Sequence, residues 1–465
     1  MRANTVCTFT LLLLLAGYHP SAFAQADALT VYQGATLIDG VDNVPKKGMS
    51  ILVRGERIQA IAPAAQLAPP AGSKVVDVTG LYVLPGLINT HVHIATDSTR
   101  EQALSLMRRD LYSGITAERD MAGDTRQLAE LSRVSLLGEV AGPDIYYAAL
   151  MAGPSFFEDK RTHDAARGAV TGEVPWMRAV TPRTDLHVAI AEARGTGAIA
   201  IKIYADVPAQ LVAAITKEAH RQGILVWAHA TVYPATAKQV VEAGVDSISH
   251  APMLAITNPA KTYAGAHLHP AAEQQYADGF GPRLASLLRE MKRRGTILDA
   301  TLVVYKEEGP PPAHAVNRLD IGERVTHAAY EAGVAISTGT DTEDEDNKDW
   351  SPLRDELLLL QDGAGMRPAD VIRSATAVGA RTLGHDKEMG TVEPGKLANL
   401  VFVAKNPLDG VEAFSTVVLT VKRGSPFWRK DFSLRAVRRG KLSEFISQRQ
   451  PQIFFAAGRY RFLLL

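Results

Sequence analysis

Residues 198–229 read AIAIKIYADVPAQLVAAITKEAHRQGILVWAH, and this stretch decides the fold. An apolar strand over 198–205 is followed by Asp206 as a predicted helix N-cap and by a helix whose apolar residues recur every three or four positions. Gly223 ends that helix, and a second apolar strand runs over 224–229. The order strand, helix, strand is the building unit of a parallel sheet.

The same unit recurs along the central part of the chain. A helical pattern over 234–243 stops at Gly244 before another strand, and Gly295 and Gly333 each precede a further strand. Eight strands can be counted, over 84–94, 116–120, 144–150, 198–205, 224–229, 245–250, 296–300 and 334–338. Strands in this number with intervening helices favour an α/β fold with a closed (β/α)₈ TIM-type barrel over an open sheet.

Both ends of the chain are predicted to be β-structure without helices. Residues 29–80 alternate short apolar strands with Gly, Asn and Pro turns, and the segments 398–403 and 417–421 have the same character. One small β-sandwich built from both chain ends explains this distribution most simply. The predicted domains are a signal peptide (1–24), a β-sandwich (25–83 plus 390–424), a barrel (84–389) and a basic C-terminal extension (425–465).

The N-terminus predicts export from the cytoplasm. Arg2 precedes an apolar core over 9–16, and Ala22-Phe23-Ala24 is a small-x-small cleavage pattern, so we expect a signal peptide that is cut after Ala24. The core is too short for a permanent membrane span, and an uncleaved anchor is the alternative. The expected location is periplasmic or secreted. Because such a cut removes the single cysteine, Cys7, any metal must be held by His, by carboxylate or by a less usual ligand.

The charge balance bears on the partners of the protein. The chain has 50 basic and 50 acidic side chains and a formal net charge of zero, whereas nucleic-acid binders usually carry a basic excess. We therefore expect a small-molecule substrate and no nucleic-acid partner. A homo-oligomer is compatible with the same composition.

Polar residues stand at the ends of several predicted barrel strands, which is where barrel enzymes carry their chemistry. His91 and His93 lie two residues apart, so they share one face of their strand. His229 and His250 each close an apolar strand in neighbouring units, and Asp341 follows the last strand. Imidazole and carboxylate groups are ligands for a divalent cation. The alternatives are hydrogen-bonded core histidines and, for Asp341, a helix cap or part of an acidic loop.

Lys202 lies inside the apolar strand 198–205. Both faces of a parallel barrel strand are covered, so its amine is expected to be out of reach of water. Burial without a partner lowers the pKa of a lysine. A structural ion pair is the alternative to a functional neutral amine.

Together these residues resemble the amidohydrolase superfamily. The family pattern is His-x-His after strand 1, Lys on strand 4, single His residues on strands 5 and 6, and Asp after strand 8. Residues 112–120 (YSGITAERD) and 390–400 (GTVEPGKLANL) are similar to the family's strand-2 entry and to its return into the β-sandwich. The resemblance covers residues 29–424 and is nearest to the imidazolonepropionase-like branch, which includes dipeptidases.

The resemblance implies a metal-dependent hydrolase with two metal ions. In such members the strand-4 lysine reacts with carbon dioxide, and the resulting carbamate bridges two divalent cations, usually zinc. By this resemblance the first cation is held by His91, His93 and Asp341, the second by His229 and His250, and both by carboxylated Lys202. It also implies that a metal-bridging hydroxide attacks the substrate carbonyl, while Asp341 passes the proton of the water to the leaving amine.

The implied activity is cleavage of C–N bonds in small amides such as dipeptides or N-acyl amino acids. Tyr204, Tyr233 and Arg178 are the candidate substrate contacts. Tyr233 lies further from His229 than the tyrosine of the dipeptidase pattern, and residues 249–252 (SHAP) lack the acidic residue and glycine of that pattern. The alternatives are a cyclic amidase or lactonase on the same site and a catalytically silent binding protein.

Overall fold

The computed structural model describes residues 28–42, 44–96, 98–257, 259–264, 280–306, 317–342 and 348–433. The predicted signal peptide and most of the predicted C-terminal extension lie outside these residues. Within them, no helix has both the length and the apolar character needed to cross a membrane.

Strands and helices alternate through the centre of the chain, as the sequence predicts. The strands are β1 (Leu29–Leu37), β2 (Lys46–Arg54), β3 (Arg57–Pro63), β4 (Lys74–Asp77), β5 (Tyr82–Pro85), β6 (Leu87–Val92), β7 (Ile115–Asp120), β8 (Asp144–Ala152), β9 (Glu173–Val174), β10 (Met177–Ala179), β11 (Ala200–Ile203), β12 (Leu225–His229), β13 (Ser247–Ser249), β14 (Ile297–Asp299), β15 (Ile336–Ser337), β16 (Leu400–Val403), β17 (Val417–Lys422) and β18 (Ser425–Trp428). The helices are α1 (Arg100–Tyr112), α2 (Thr125–Leu136), α3 (Lys160–Ala166), α4 (Leu186–Gly195), α5 (Ala209–Arg221), α6 (Ala237–Glu242), α7 (Pro282–Arg294), α8 (Arg318–Glu331), α9 (Leu353–Leu358), α10 (Pro368–Arg373) and α11 (Gly379–Thr382).

Eight parallel strands form the barrel. Neighbouring strands pair in the order β6, β7, β8, β11, β12, β13, β14 and β15. Backbone hydrogen bonds join the last strand region to the first, because Thr90 N donates to Thr338 O at 2.7 Å and Thr340 N donates to His91 O at 3.2 Å. The prediction of a TIM-type barrel is confirmed. The short strands β9 and β10 add a side hairpin against β8.

The local pattern of the deciding stretch is confirmed except at one residue. The apolar face of α5 is buried, and Gly223 after it has a φ of +76°, a left-handed conformation that favours glycine. The prediction that Asp206 caps this helix is wrong, because Pro208 occupies the N-cap position and no side chain caps the helix. The Asp206 carboxylate instead accepts hydrogen bonds from Tyr263 N at 2.6 Å and from Ser155 Oγ at 2.7 Å.

Both ends of the chain build a separate β domain, as predicted. Its strands pair in the order β18, β17, β16, β5, β1, β2 and β3, and β4 pairs with β1, so the strands are joined in one mixed sheet. Tyr32, Val83, Phe402 and Leu419 belong to the buried core of this sheet. The strand β18 lies past residue 424, within the segment that the sequence assigns to the basic extension.

A buried cluster of charges ties the β domain to the barrel. Asp144 at the start of β8 forms an ion pair with Lys422 Nζ at 3.0 Å and accepts a hydrogen bond from Arg423 Nε at 2.8 Å. These two cations lie at the end of β17 and in the turn after it. Lys422 Nζ also donates to the carbonyl oxygen of Ser135 at 2.7 Å. The side chains of Asp144 and Lys422 are each 5% exposed. One carboxylate therefore neutralises two cations at the joint between the domains.

Replacement of Asp144 by Ala is expected to lower the free energy of unfolding by about 3–5 kcal/mol, because Lys422 loses its counter-ion inside the protein and Arg423 keeps only Glu56. Urea denaturation followed by circular dichroism measures this change. The matched control is Lys238→Ala, which removes an exposed ion pair with Glu242 on α6 and should cost less than about 0.5 kcal/mol. If both substitutions lower the free energy of unfolding equally, the Asp144 cluster stabilises the protein no more than an exposed ion pair does.

Candidate metal centre

The strand ends at one mouth of the barrel bring the predicted ligands together. Each of the six lies at, or within a few residues of, the carboxyl end of its strand: His91 and His93 with β6, Lys202 in β11, His229 with β12, His250 after β13 and Asp341 after β15. Four of them are fully or nearly fully buried, while the side chains of His93 and Asp341 are 17% and 18% exposed. The group is therefore open to the mouth on the side of His93 and Asp341.

His91, His93 and Asp341 form one half of the group. Asp341 Oδ1 lies 3.3 Å from His91 Nε2 and 3.0 Å from His93 Nε2. One potential ligand atom from each of the three falls within 4.8 Å of the others, which is close enough to hold a metal ion. Burial opposes ionisation of Asp341, but the charge of His91 and the hydrogen bonds from both histidines hold the pKa of Asp341 well below its usual range.

His229 and His250 form the other half of the group. Their ring centroids are 4.6 Å apart and the rings meet edge to face. The second carboxylate oxygen of Asp341 lies 3.5 Å from His250 Nδ1, so Asp341 faces both halves. Burial lowers the pKa of His250 to about 3 and that of His229 well below its usual value. Both imidazoles are therefore neutral near pH 7, which is the form that binds a metal.

Two of these residues have left-handed backbones, which are unfavourable for side chains other than glycine. The φ angle is +77° at His250 and +49° at Asp341. Such positions cost about 1–3 kcal/mol each and persist when the surroundings hold them. Here His250 N donates to Asp299 O at 3.0 Å and Asp341 N donates to His91 O at 2.9 Å. The barrel strands thus fix the positions of both ligands.

Lys202 lies beneath these groups without exposure to solvent. Its Nζ has no hydrogen-bond partner among the described residues, and the same holds for Nδ1 of the neighbouring His229. Burial, with a contribution from the charge of Arg119, lowers the pKa of Lys202 to about 7. A buried amine and imidazole without partners are costly unless a ligand satisfies them. The donor set therefore fits divalent cations and a carboxylated Lys202.

Sequence reasoning missed Asp299 and Arg119, which hold the histidine side of the group. Asp299 Oδ2 lies 2.7 Å from His91 Nδ1 and accepts hydrogen bonds from Arg119 Nη2 and Ser249 Oγ, each at 2.9 Å. Such a carboxylate fixes the ring orientation and tautomer of a metal-binding histidine. Here it leaves Nε2 of His91 facing Asp341. The signal was present, because Asp299 lies at the end of an apolar run, as His229 and His250 do.

The three candidate substrate contacts differ in their position. The Tyr204 ring lies 4.0 Å from the His229 ring, centroid to centroid, and Tyr233 is buried nearby on the loop after β12. Arg178 lies in β10 and pairs with Glu192 on α4. No contact between described residues joins Arg178 to the metal centre. Its role in binding stays a prediction.

Comparison with known proteins assigns the chain to a family. The family model described as "Amidohydrolase family" matches residues 82–427. The chain belongs to the amidohydrolase family. The resemblance on which the sequence interpretation depends is thereby confirmed, and metal dependence is typical of this family.

The curated relatives of this amidohydrolase include enzymes with several names. The 5-methylthioadenosine/S-adenosylhomocysteine deaminase of Halobacterium salinarum is 28% identical over 360 residues, which cover 72% of this chain and 75% of the relative. The imidazolonepropionase of Rhizobium meliloti is 25% identical over 378 residues, which cover 75% and 83%. These relatives indicate an enzyme that acts on C–N bonds.

Solved structures share the barrel and the β domain. A putative prolidase from Bifidobacterium longum is 26% identical, with a TM-score of 0.66 over 88% of this chain and 98% of that chain. The structure of A. niger ochratoxinase has a TM-score of 0.68 over 88% of this chain and 97% of that chain. Because the two sequences are only 19% identical, this similarity shows a shared fold and no more.

Replacement of Asp299 by Asn is expected to weaken metal binding by about 10–100-fold, because His91 loses the charged partner that orients its ring. Competition with a chromophoric chelator, using Zn²⁺ and metal-free protein, measures the affinity. The control is Asp320→Asn, which removes a carboxylate on the exposed first turn of α8. Unchanged affinity in the Asp299 variant would mean that His91 is oriented without this carboxylate.

Proposed function

We propose that this amidohydrolase hydrolyses C–N bonds of small amides, such as dipeptides or N-acyl amino acids, at a centre of two divalent cations. The observation that carries the proposal is the convergence of four histidines, one buried lysine and one carboxylate at the carboxyl-terminal mouth of the barrel. Nitrogen and oxygen donors in this arrangement suit zinc. An exported enzyme in the periplasm or outside the cell is part of the same proposal, because the N-terminus has the pattern of a signal peptide.

The cations would be held by the residues of both halves of the centre. His91, His93 and Asp341 would hold one, His229 and His250 the other, and Lys202 would be shared as a carbamate. When bound, such cations lower the pKa of water and polarise a carbonyl oxygen, which supplies a nucleophile and an electrophilic carbon at neutral pH. The protein's own side chains would hold the cations and transfer the proton.

The carbamate on Lys202 requires a neutral amine. The Nζ lone pair forms a bond to the carbon of CO₂, and the π electrons of one C=O bond move to its oxygen, which becomes negatively charged. One proton leaves the nitrogen. The lowered pKa of Lys202 leaves a large fraction of its amine neutral near pH 7, whereas an ordinary lysine is almost fully protonated. Burial therefore prepares this lysine for carboxylation.

Asp341 is placed to move the proton of the reaction. One carboxylate oxygen faces His91 and His93, and the other faces His250, so the carboxylate lies between the two halves of the centre. From there it can accept the proton of the attacking water and deliver it to the leaving amine. Its partial exposure places it on the open side, where a substrate enters.

Asp341→Asn is expected to reduce kcat at least about 100-fold, because the amide cannot accept the proton. The test measures hydrolysis by zinc-loaded protein against dipeptides, N-acyl amino acids, cyclic amides and lactones, and then the variant on the best substrate. The control Asp320→Asn should retain activity. Turnover that survives unchanged in Asp341→Asn would exclude this residue as the base, and turnover of lactones or cyclic amides alone would replace the proposed substrate class.

Metal analysis tests the centre itself. The wild-type protein is expected to hold about two ions per chain, and Lys202→Met should hold fewer because the shared ligand is lost. Incubation with ¹³C-bicarbonate should give a carbamate carbon signal in the NMR spectrum of the wild type and of the control Lys217→Met, which lies on the exposed side of α5. A single ion together with an unmodified Lys202 would contradict the two-cation centre.

A further inference from the structure

One segment of the barrel, the end of β14 and the turn after it, contacts both halves of the candidate metal centre. At the start of this segment, Asp299 holds the ring of His91. Two residues later, Thr301 Oγ1 lies 3.0 Å from Nδ1 of His250. The backbone also takes part, because His250 N donates to Asp299 O at 3.0 Å. We call residues 299–303 the support turn.

Thr301 is the strained residue of the support turn. Its φ angle is +50°, in the left-handed region that is unfavourable for a β-branched side chain. The residue is fully buried, so its hydroxyl group cannot exchange its contact with His250 for a contact with solvent. A backbone in this region persists only where its surroundings hold it. The position of the Thr301 hydroxyl therefore depends on what holds the far end of the turn.

Glu356 on α9 holds that far end. Its Oε2 accepts a hydrogen bond from Val303 N at 2.7 Å, and its side chain has no exposure to solvent. Its other oxygen, Oε1, has no hydrogen-bond partner among the described residues. A buried carboxyl group with one oxygen left unpaired is costly, and an apolar side chain at this position would avoid the cost. The contact with the support turn is what the carboxyl group adds here.

We propose that Glu356 is a positioning residue, which keeps Thr301 in place and thereby fixes the ring of His250. This proposal rests on the proposed function, because its consequence is the affinity of the centre for the cation that His250 would hold. No hydrogen bond or ion pair between described residues joins Glu356 to a predicted ligand. Its effect passes through the Val303 amide, the strained backbone of Thr301 and the contact between hydroxyl and imidazole. Such a contact sets the ring orientation and the protonated nitrogen of a ligand histidine.

The test compares two substitutions of Glu356 by their effect on zinc affinity. Burial raises the pKa of Glu356 to about 8, although hydrogen bonds from the amides of Leu302 and Val303 act in the opposite direction. The carboxyl group is therefore mostly protonated near pH 7, and Glu356→Gln preserves both its shape and the oxygen that accepts from Val303 N. Glu356→Leu removes that oxygen and keeps an apolar side chain in the core.

Competition between the metal-free full chain and a chromophoric chelator gives the affinity for each Zn²⁺. Glu356→Leu should bind one Zn²⁺ about tenfold or more weakly than the wild type and the other within about twofold, because the effect is confined to the His250 side. Glu356→Gln should match the wild type. Unchanged affinities in a folded Glu356→Leu variant would overturn the positioning role.

A matched control separates positioning from stability. Asp246 accepts a hydrogen bond from Val226 N, also at 2.7 Å, but it directly precedes β13 and so lies at the opposite mouth of the barrel. Asp246→Leu should lower the free energy of unfolding in urea and leave both zinc affinities unchanged. If Glu356→Leu likewise loses stability alone, Glu356 has only a structural role.

Thr301→Val tests the path of the effect and decides the question if Glu356→Leu does not fold. Valine keeps the shape of threonine and removes the hydroxyl, so the same Zn²⁺ should bind about tenfold more weakly, whereas Thr301→Ser should stay near the wild type. Where both single variants fold, the variant with Glu356→Leu and Thr301→Val should bind no more weakly than the weaker of them, because both changes break one path. Additive losses, or an unchanged affinity in Thr301→Val, would overturn the proposal.

The outcomes separate this proposal from the proposed function. Amide hydrolysis by the wild type, together with unchanged zinc affinities in Glu356→Leu and Thr301→Val, overturns the positioning role and leaves the hydrolase intact. Zinc binding that is weakened in both variants, without hydrolysis of any amide by the wild type, supports the positioning role and contradicts the function. A wild-type protein that binds no Zn²⁺ contradicts both.

Discussion

The buried carboxylate of Asp299 is the contact on which the candidate metal centre depends. It lies at the end of β14 with no exposure, and it accepts hydrogen bonds from side chains of three other strands, through Thr90 and His91, Arg119 and Ser249. Burial alone would raise its pKa, but the charge of Arg119 and the contact with His91 reverse that effect and hold the pKa below its usual value. An ionised carboxylate at this depth is stable only as part of such a network. The same network orients the first ligand of the centre.

Above this network the barrel holds a set of groups that do not satisfy one another. Lys202 and His229 are buried, burial lowers the pKa of each, and each leaves a nitrogen without a hydrogen-bond partner among the described residues. In a core that serves only stability, a packed apolar side chain would be less costly at either position. Buried nitrogen atoms without partners, close to the charge of Asp341, are an arrangement that divalent cations stabilise. The free-energy cost of burying Lys202 and His229 without partners is therefore what we expect of a binding site whose ligand is absent.

The fold and most of the centre could be predicted because they follow from local patterns. Apolar runs that end at Gly or at a polar residue indicate strands, and the residues that close such runs, His229 and His250, meet at the mouth because parallel strands end together. Asp299 has the same position and was missed because a carboxylate after a strand is also typical of a turn. Asp206 was assigned wrongly because its partners, Ser155 and Tyr263, lie 51 and 57 residues away in the chain. Contacts of that kind leave no periodic signal.

Strand β11 brings two of the predicted site residues, Lys202 and Tyr204, to the same mouth of the barrel. Lys202 lies in β11, and Tyr204 follows directly after the strand, two positions along the chain. The pleat therefore points both side chains to the same face, while Ile203 between them is buried on the other face. A shift of this strand by one residue would turn Lys202 and Tyr204 outward together, because the side-chain period is two. Its pairing with β8 on one side and β12 on the other excludes such a shift. The register of one short strand therefore sets the positions of both Lys202, the ligand that the cations would share, and the Tyr204 ring, which lies against His229.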